Sequence, residues 1–204
     1  MLEKYGMYYI DPPPEGTRVD ENGQYRFPTI EIHDKNNLPL SIRKARVSDV
    51  KGIMKLVNGF ATSKLMLSRG PQYIYENIRD FIVIFLDADG DARKRSDENV
   101  DGELIIACGG LHVLWGDMAE IRSTAVHPDF QCRGLGSRLV KYMKEDARRL
   151  GIAKLFTFTL AEGFFRSLGF EVRNRDQLPH VVWAECSRCP KYFKCDEIGM
   201  MLDL

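Results

Sequence analysis

Residues 121–137 read Ile121-Arg122-Ser123-Thr124-Ala125-Val126-His127-Pro128-Asp129-Phe130-Gln131-Cys132-Arg133-Gly134-Leu135-Gly136-Ser137, and the rest of the fold is built around them. A strand over 120–126 runs into a turn, and Gly134 and Gly136 open a long helix predicted over about 137–150. That helix sets Leu139, Met143, Ala147 and Leu150 on one side, with Gly151 as its C′ residue. Glycines at its start let the backbone approach a ligand closely. The free N–H groups of a first helical turn, with the positive end of the helix dipole, suit a pyrophosphate. Arg133 and Arg138 add positive charge. The segment has neither the Gly-x-Gly-x-x-Gly of a Rossmann site nor the Gly-Lys-Ser/Thr of a P-loop.

Working outward, the pattern predicts a strand over 40–45 with Leu40, Ile42 and Lys44 alternating to one side. Ser48 or Asp49 caps a helix whose Val50, Ile53, Met54 and Val57 share a face. Pro71 starts a second helix carrying Ile74 and Ile78. Residues 81–86 read as a buried strand, 87–102 as a polar loop and 104–115 as the next strand. Beyond the long helix lie a strand over 154–160, a short helix over 162–168, a turn at Gly169 and an apolar stretch, 198–204, that closes the sheet. Residues 1–38 read as an N-terminal extension with one short strand within 25–32, and 39–204 as the folded domain. The expected class is α/β (α+β), a mixed sheet flanked by helices.

Twenty-nine cationic and 29 anionic residues in a chain of 204 leave no net charge, so the electrostatic footprint of a nucleic-acid or membrane binder is missing. The start of the chain is aromatic, acidic and proline-rich, unlike a signal peptide. With five cysteines and no secretion signal, reduced thiols in a cytoplasmic setting are expected.

Gln131-x-x-Gly134-x-Gly136, preceded by Ala125-Val126-His127-Pro128, resembles the coenzyme A signature of the GNAT acetyltransferase superfamily. Phe164-Phe165-Arg166-Ser167-Leu168-Gly169-Phe170 resembles its second landmark. The resemblance implies a mostly antiparallel sheet with two parallel strands splayed to admit acetyl-CoA. Backbone groups of Thr124, Ala125 and Val126 would meet the pantetheine arm, and amides of Gln131, Cys132, Arg133, Gly134, Gly136 and Ser137 the pyrophosphate. It also implies Glu120 as general base, against a solvated carboxylate at a strand start, and the Val126 N–H as oxyanion donor. Many relatives carry a tyrosine where this chain has Phe165, so no general acid is assigned.

Within that superfamily the chain most resembles the acetyltransferase domain of N-acetylglutamate synthases, on Ile42-Arg43-x-Ala45 with Asp49, Leu67-Ser68-Arg69, Ala125–Phe130 and Lys154-Leu155-Phe156. That likeness implies glutamate as acceptor, a place in arginine biosynthesis, and Arg69, with Ser123, on the acceptor side; a guanidinium grips a carboxylate with two parallel hydrogen bonds. Longer synthases carry another arginine after the Lys-Leu-Phe strand, where this chain has Thr159-Leu160-Ala161-Glu162. Arg122, Arg166 and Arg173 are the candidates to replace it. Acetylation of a protein N-terminus, a lysine or a polyamine, and a non-catalytic coenzyme A-binding module, are the alternatives. Assembly is open, a homodimer included.

Asp87, Asp89, Asp91 and Glu98 match EF-hand ligand positions, but Ala92 replaces the required glycine. His112 and His127 read as structural. Cys186, Cys189 and Cys195 read first as free thiols, with zinc (completed by His180, Asp196 or Glu197) and a disulfide as alternatives.

Overall fold

The computed structural model describes residues 29–87, 103–174, 178, 182–187, 189 and 191–204, together with the backbone of 18–19 and 25–26. Among the described residues, strands β1 (Arg18–Val19) and β2 (Tyr25–Arg26) pair with each other and with no other strand. The remaining strands are β3 (Ile30–His33), β4 (Pro39–Lys44), β5 (Phe81–Asp87), β6 (Glu103–Trp115), β7 (Met118–Val126), β8 (Lys154–Thr159), β9 (Glu171–Val172) and β10 (Ile198–Asp203). They form one sheet in the order β3-β4-β5-β6-β7-β8-β10-β9. Every neighbouring pair is antiparallel except β7 and β8, which are parallel and joined through a helix. The sheet therefore reaches back to Ile30, inside the stretch read from sequence as an extension.

Helices cover both faces. On one face α1 (Val50–Thr62) and α2 (Pro71–Glu76) lie over Val83, Phe85, Ile105 and Cys108. On the other, α3 (Leu135–Arg149) packs Leu139, Val140, Met143 and Ala147 against Ile42, Ile82, Ile84 and Ile106. Alternating residues of β5 thus enter two different cores, as expected of strands covered on both sides. β4 is likewise covered on both sides: Leu40, Ser41, Ile42 and Arg43 are all buried, with Arg43 fully inaccessible. Arg43 remains charged there because Asp49 receives both of its Nη atoms, at 2.6 and 3.0 Å, and Glu103 receives one of them as well. Helix α3 begins at Leu135, two residues before the expected start, with Gly134 at φ +84° as its N-cap. Short helices α4 (Glu162–Arg166) and α5 (Trp183–Cys186) complete the set, and β10 inserts between β8 and β9.

Candidate functional site

The parallel ladder between β7 and β8 is short. It runs through Met118↔Lys154, Ala119↔Leu155 and Glu120↔Phe156, and ends there. Beyond Glu120 the strands part. The cause is local to β7: pairing with β6 jumps from Arg122↔Gly110 to Ala125↔Cys108, so β7 carries one extra residue. Ser123 absorbs it at φ +53°, a bulge that bends the strand. A cavity of ≈ 800 Å³ opens in the split, walled by 120–124 on one side and 157–161 on the other. Thr124 contributes a buried hydroxyl with no hydrogen-bond partner.

At one end of the split lies the glycine turn. The first hydrogen bond of α3 runs from the Arg138 N–H to the Gly134 carbonyl at 3.1 Å, so the amides of Leu135, Gly136 and Ser137 precede the helical ladder and can meet an anion. Gly136 sits close under Phe164: a Cβ there would stand 3.2 Å from the end of the Phe164 ring, which would have to give way by a few tenths of an ångström. Cys132 turns the chain at φ +60° with its thiol exposed. Gln131 behaves otherwise than expected. Its own N–H is occupied by the Pro128 carbonyl (3.2 Å), while its side-chain Nε2 donates to the Val126 carbonyl (3.2 Å), tying turn to strand. The His127 N–H donates to the Ile106 carbonyl at 2.8 Å. Antiparallel pairing alternates, so the neighbouring N–H of Val126 turns away from β6, toward the split. Arg133 does not reach toward a ligand: its guanidinium meets Asp34 (3.4 Å), the Asp129 carbonyl (2.7 Å) and the ring of Phe130.

Beside the split, charged side chains gather. Glu120, its side chain 15% exposed, lies 3.9 Å from Arg122, which also donates to Asn77 (2.9 Å) and approaches Asp80 (3.5 Å). Arg69 and Arg122 both pack on the ring of Tyr73, at 4.0 and 5.3 Å from its centroid. Stacking occupies the face of a guanidinium and leaves its edge donors for a planar anion. Asn58 of α1 fixes this arginine loop: it accepts from the Arg69 N–H (2.9 Å) and Ser68 Oγ (3.0 Å), and donates to the Arg69 carbonyl (3.0 Å). Of the other arginine candidates, Arg166 pairs with Glu162 and Arg173 with Glu171, and neither lines the cavity.

Three further residues enter the cavity from the C-terminal segment: Cys186, Cys189 and Glu197. Burial, then the nearby charge of Glu120 and the groups at Cys195, Cys189 and Glu197, pushes the Cys186 thiol up to about 11, so it is a thiol at neutral pH. Burial, with Asp196, also raises the Glu197 carboxyl, while Lys191 and Arg69 pull it down. The sequence suggested Glu197 only as an accessory metal ligand; its place in the cavity depends on β10 lying beside β8. All three cysteines are free, and among the described residues no group of three or more His, Cys, Asp or Glu is placed to hold a metal ion. His180, Asp89, Asp91 and Glu98 lie outside the described residues. His112 bonds Asp80 at 2.6 Å, and His127 accepts from the Asp129 N–H at 3.3 Å. Phe165 is buried edge-on between Phe164 and Phe170, and brings no hydroxyl to the cavity.

Residues 69–170 match the Acetyltransferase (GNAT) family. An uncharacterised N-acetyltransferase of Chlorobaculum tepidum is 32% identical over 163 residues, covering 80% of this chain and 96% of that protein. A Mycobacterium tuberculosis amino-acid acetyltransferase is 33% identical over 129 residues, 63% of this chain and 67% of its own length. Among solved structures, a Mycobacterium tuberculosis protein in complex with CoA and NLQ superposes with a TM-score of 0.61 at 28% identity, covering 80% of this chain and 98% of that one. Among the described residues, no helix is long and apolar enough to cross a membrane.

Proposed function

This chain belongs to the GNAT acetyltransferase family, and from that premise we propose that it carries the acetyl group of acetyl-CoA to the α-amine of an acidic amino acid, L-glutamate first among them, in one ternary complex. The observation that carries the choice of acceptor is Arg69, pinned by Asn58, stacked on Tyr73 and lining the same cavity as Glu120. A second buried guanidinium, Arg122, makes that end of the cavity a poor host for a polyamine. The name of the Mycobacterium tuberculosis relative supports an amino-acid acceptor, and glutamate would place the reaction in arginine biosynthesis. We take 30–204 as the catalytic unit, since β3 is hydrogen-bonded into its sheet.

The chemistry follows from the positions. The diphosphate lies on the amides of Leu135, Gly136 and Ser137, and the thioester reaches into the split. Glu120, directly or through a water, takes the proton of the acceptor's ammonium, since only the neutral amine attacks. The amine nitrogen bonds to the thioester carbon, and the negative charge that develops on the oxygen meets the Val126 N–H. Collapse breaks the C–S bond. The coenzyme leaves as a thiolate, and the nitrogen's second proton passes to it or to water; a thiolate is a good enough leaving group that no acid is needed at the position of Phe165.

Thiol release from acetyl-CoA against a panel of amino acids and polyamines tests the reaction; glutamate should give the highest kcat/KM, and turnover with polyamines alone would overturn the assignment. Acetyl-CoA at a hundredfold excess over its Kd should raise Tm by roughly 5–10 °C. Asn58→Ala, which frees the arginine loop, should raise KM for the acceptor roughly three- to tenfold. Initial-rate kinetics should show KM for acetyl-CoA unchanged.

A further inference from the structure

The sequence offers Arg133 and Arg138 as cations near the glycine turn, but the structure spends the first on Asp34, the Asp129 carbonyl and Phe130, and ties the second to the His33 carbonyl. Another cation comes to the turn from the loop between β3 and β4. The stem of Lys35 lies along Gly134, so that a Cβ on the glycine would stand 3.5 Å from Lys35 Cε and 3.7 Å from Cγ. The loop is built to stay there. Asp34, whose side chain is fully inaccessible, accepts from the N–H groups of Asn36 and Leu38 (both 2.8 Å) and from Arg133. The Lys35 N–H donates to the Arg133 carbonyl at 3.1 Å, and Arg138 of α3 donates to the His33 carbonyl at 3.3 Å. Lys35 itself is exposed, and among the described residues no carboxylate lies within ion-pair distance of it.

An ammonium held beside the positive end of a fifteen-residue helix is in an unfavourable field. An anion between the two relieves it. We propose that the β3–β4 loop is part of the coenzyme site, with the Lys35 ammonium as a ligand of a coenzyme phosphate and Asp34 as the positioning residue that clamps the loop to the turn. This rests on reading the turn as the diphosphate site. The segment that the sequence assigns to an extension then supplies an electrostatic contact that the turn's own arginine does not.

Calorimetric titration of wild type, Lys35→Ala and Lys35→Arg with CoA and with 3′-dephospho-CoA tests it. Lys35→Ala should weaken CoA binding roughly tenfold, flatten the dependence of Kd on salt, and leave the Tm of the free protein unchanged. Lys35→Arg should restore most of the affinity. Equal weakening for both ligands puts the ammonium on the diphosphate; weakening for CoA alone puts it on the 3′-phosphate; either supports the proposal. Unchanged affinity and salt dependence in Lys35→Ala would overturn it. Wild-type protein that binds neither ligand would instead remove the reading of the turn on which it stands.

Discussion

Glu120→Gln is expected to lower kcat by roughly a hundred- to ten-thousandfold while leaving CoA affinity unchanged, the range associated with loss of a positioned general base. The expectation follows from where the carboxylate stands. Glu120 is the last residue of β7 paired with β8, and so the first residue of the split. It stands 3.9 Å from Arg122 and borders the cavity where the amine must arrive. Glutamine preserves size and packing and removes only the basic oxygen. In kcat/KM against pH, the acidic limb of the wild type should disappear in the variant. A variant that kept wild-type turnover and the same profile would exclude Glu120 as base, and Glu197, the other carboxylate in the cavity, would take its place as the candidate.

A second substitution should have the largest effect on stability. Arg43 is fully inaccessible, receives Asp49 on both Nη atoms and Glu103 on one, donates to the Lys44 carbonyl at 3.0 Å, and stacks on Phe85 at 4.7 Å. Burial disfavours its charge, and Asp49 and Glu103 more than restore it, so its pKa lies above the ordinary value. Asp49 also accepts the Arg46 N–H (2.7 Å), which ties the entry of α1 to β4. Arg43→Met leaves buried Asp49 without its cation and Glu103 with Arg46 at 3.6 Å, and should cost roughly 3–5 kcal/mol, the range for breaking a buried pair from one side. Urea unfolding should register the loss as a lower midpoint. Adding Asp49→Asn and Glu103→Gln should recover a large part, because the uncompensated charges go with them. If the triple variant were no better than the single one, packing of the guanidinium on Phe85 rather than charge would be the dominant contribution.

The local half of this molecule was legible from sequence and the long-range half was not. The strand, turn and helix over 118–149 announce themselves because each depends on neighbours in the chain: a β-branched strand, glycines at the helix start, an apolar stripe at helical spacing. The bulge at Ser123 did not, since a serine at φ +53° carries no mark in composition. The burial of Arg43 is not legible either, because period-two alternation says which side chains share a face, but not whether a helix covers that face. Arg133 looked available as a ligand until Asp34, 99 residues earlier, was seen to hold it. Glu197 and the two cysteines reach the cavity only through the insertion of β10 beside β8, a matter of topology that spacing cannot convey.

That insertion bears on how the protein is made. β10 pairs along the whole of β8, from Ile198↔Thr159 to Asp203↔Lys154, and also holds β9 through Met200↔Val172 and Met201↔Glu171. A nascent chain on the ribosome therefore exposes the open edge of β8 until residue 203 has left the exit tunnel, and an exposed strand edge invites pairing with other chains. A chain cut before Ile198 would keep every residue of the glycine turn and Glu120 but leave β8 without its partner strand, a species destined for aggregation or degradation instead of reduced turnover.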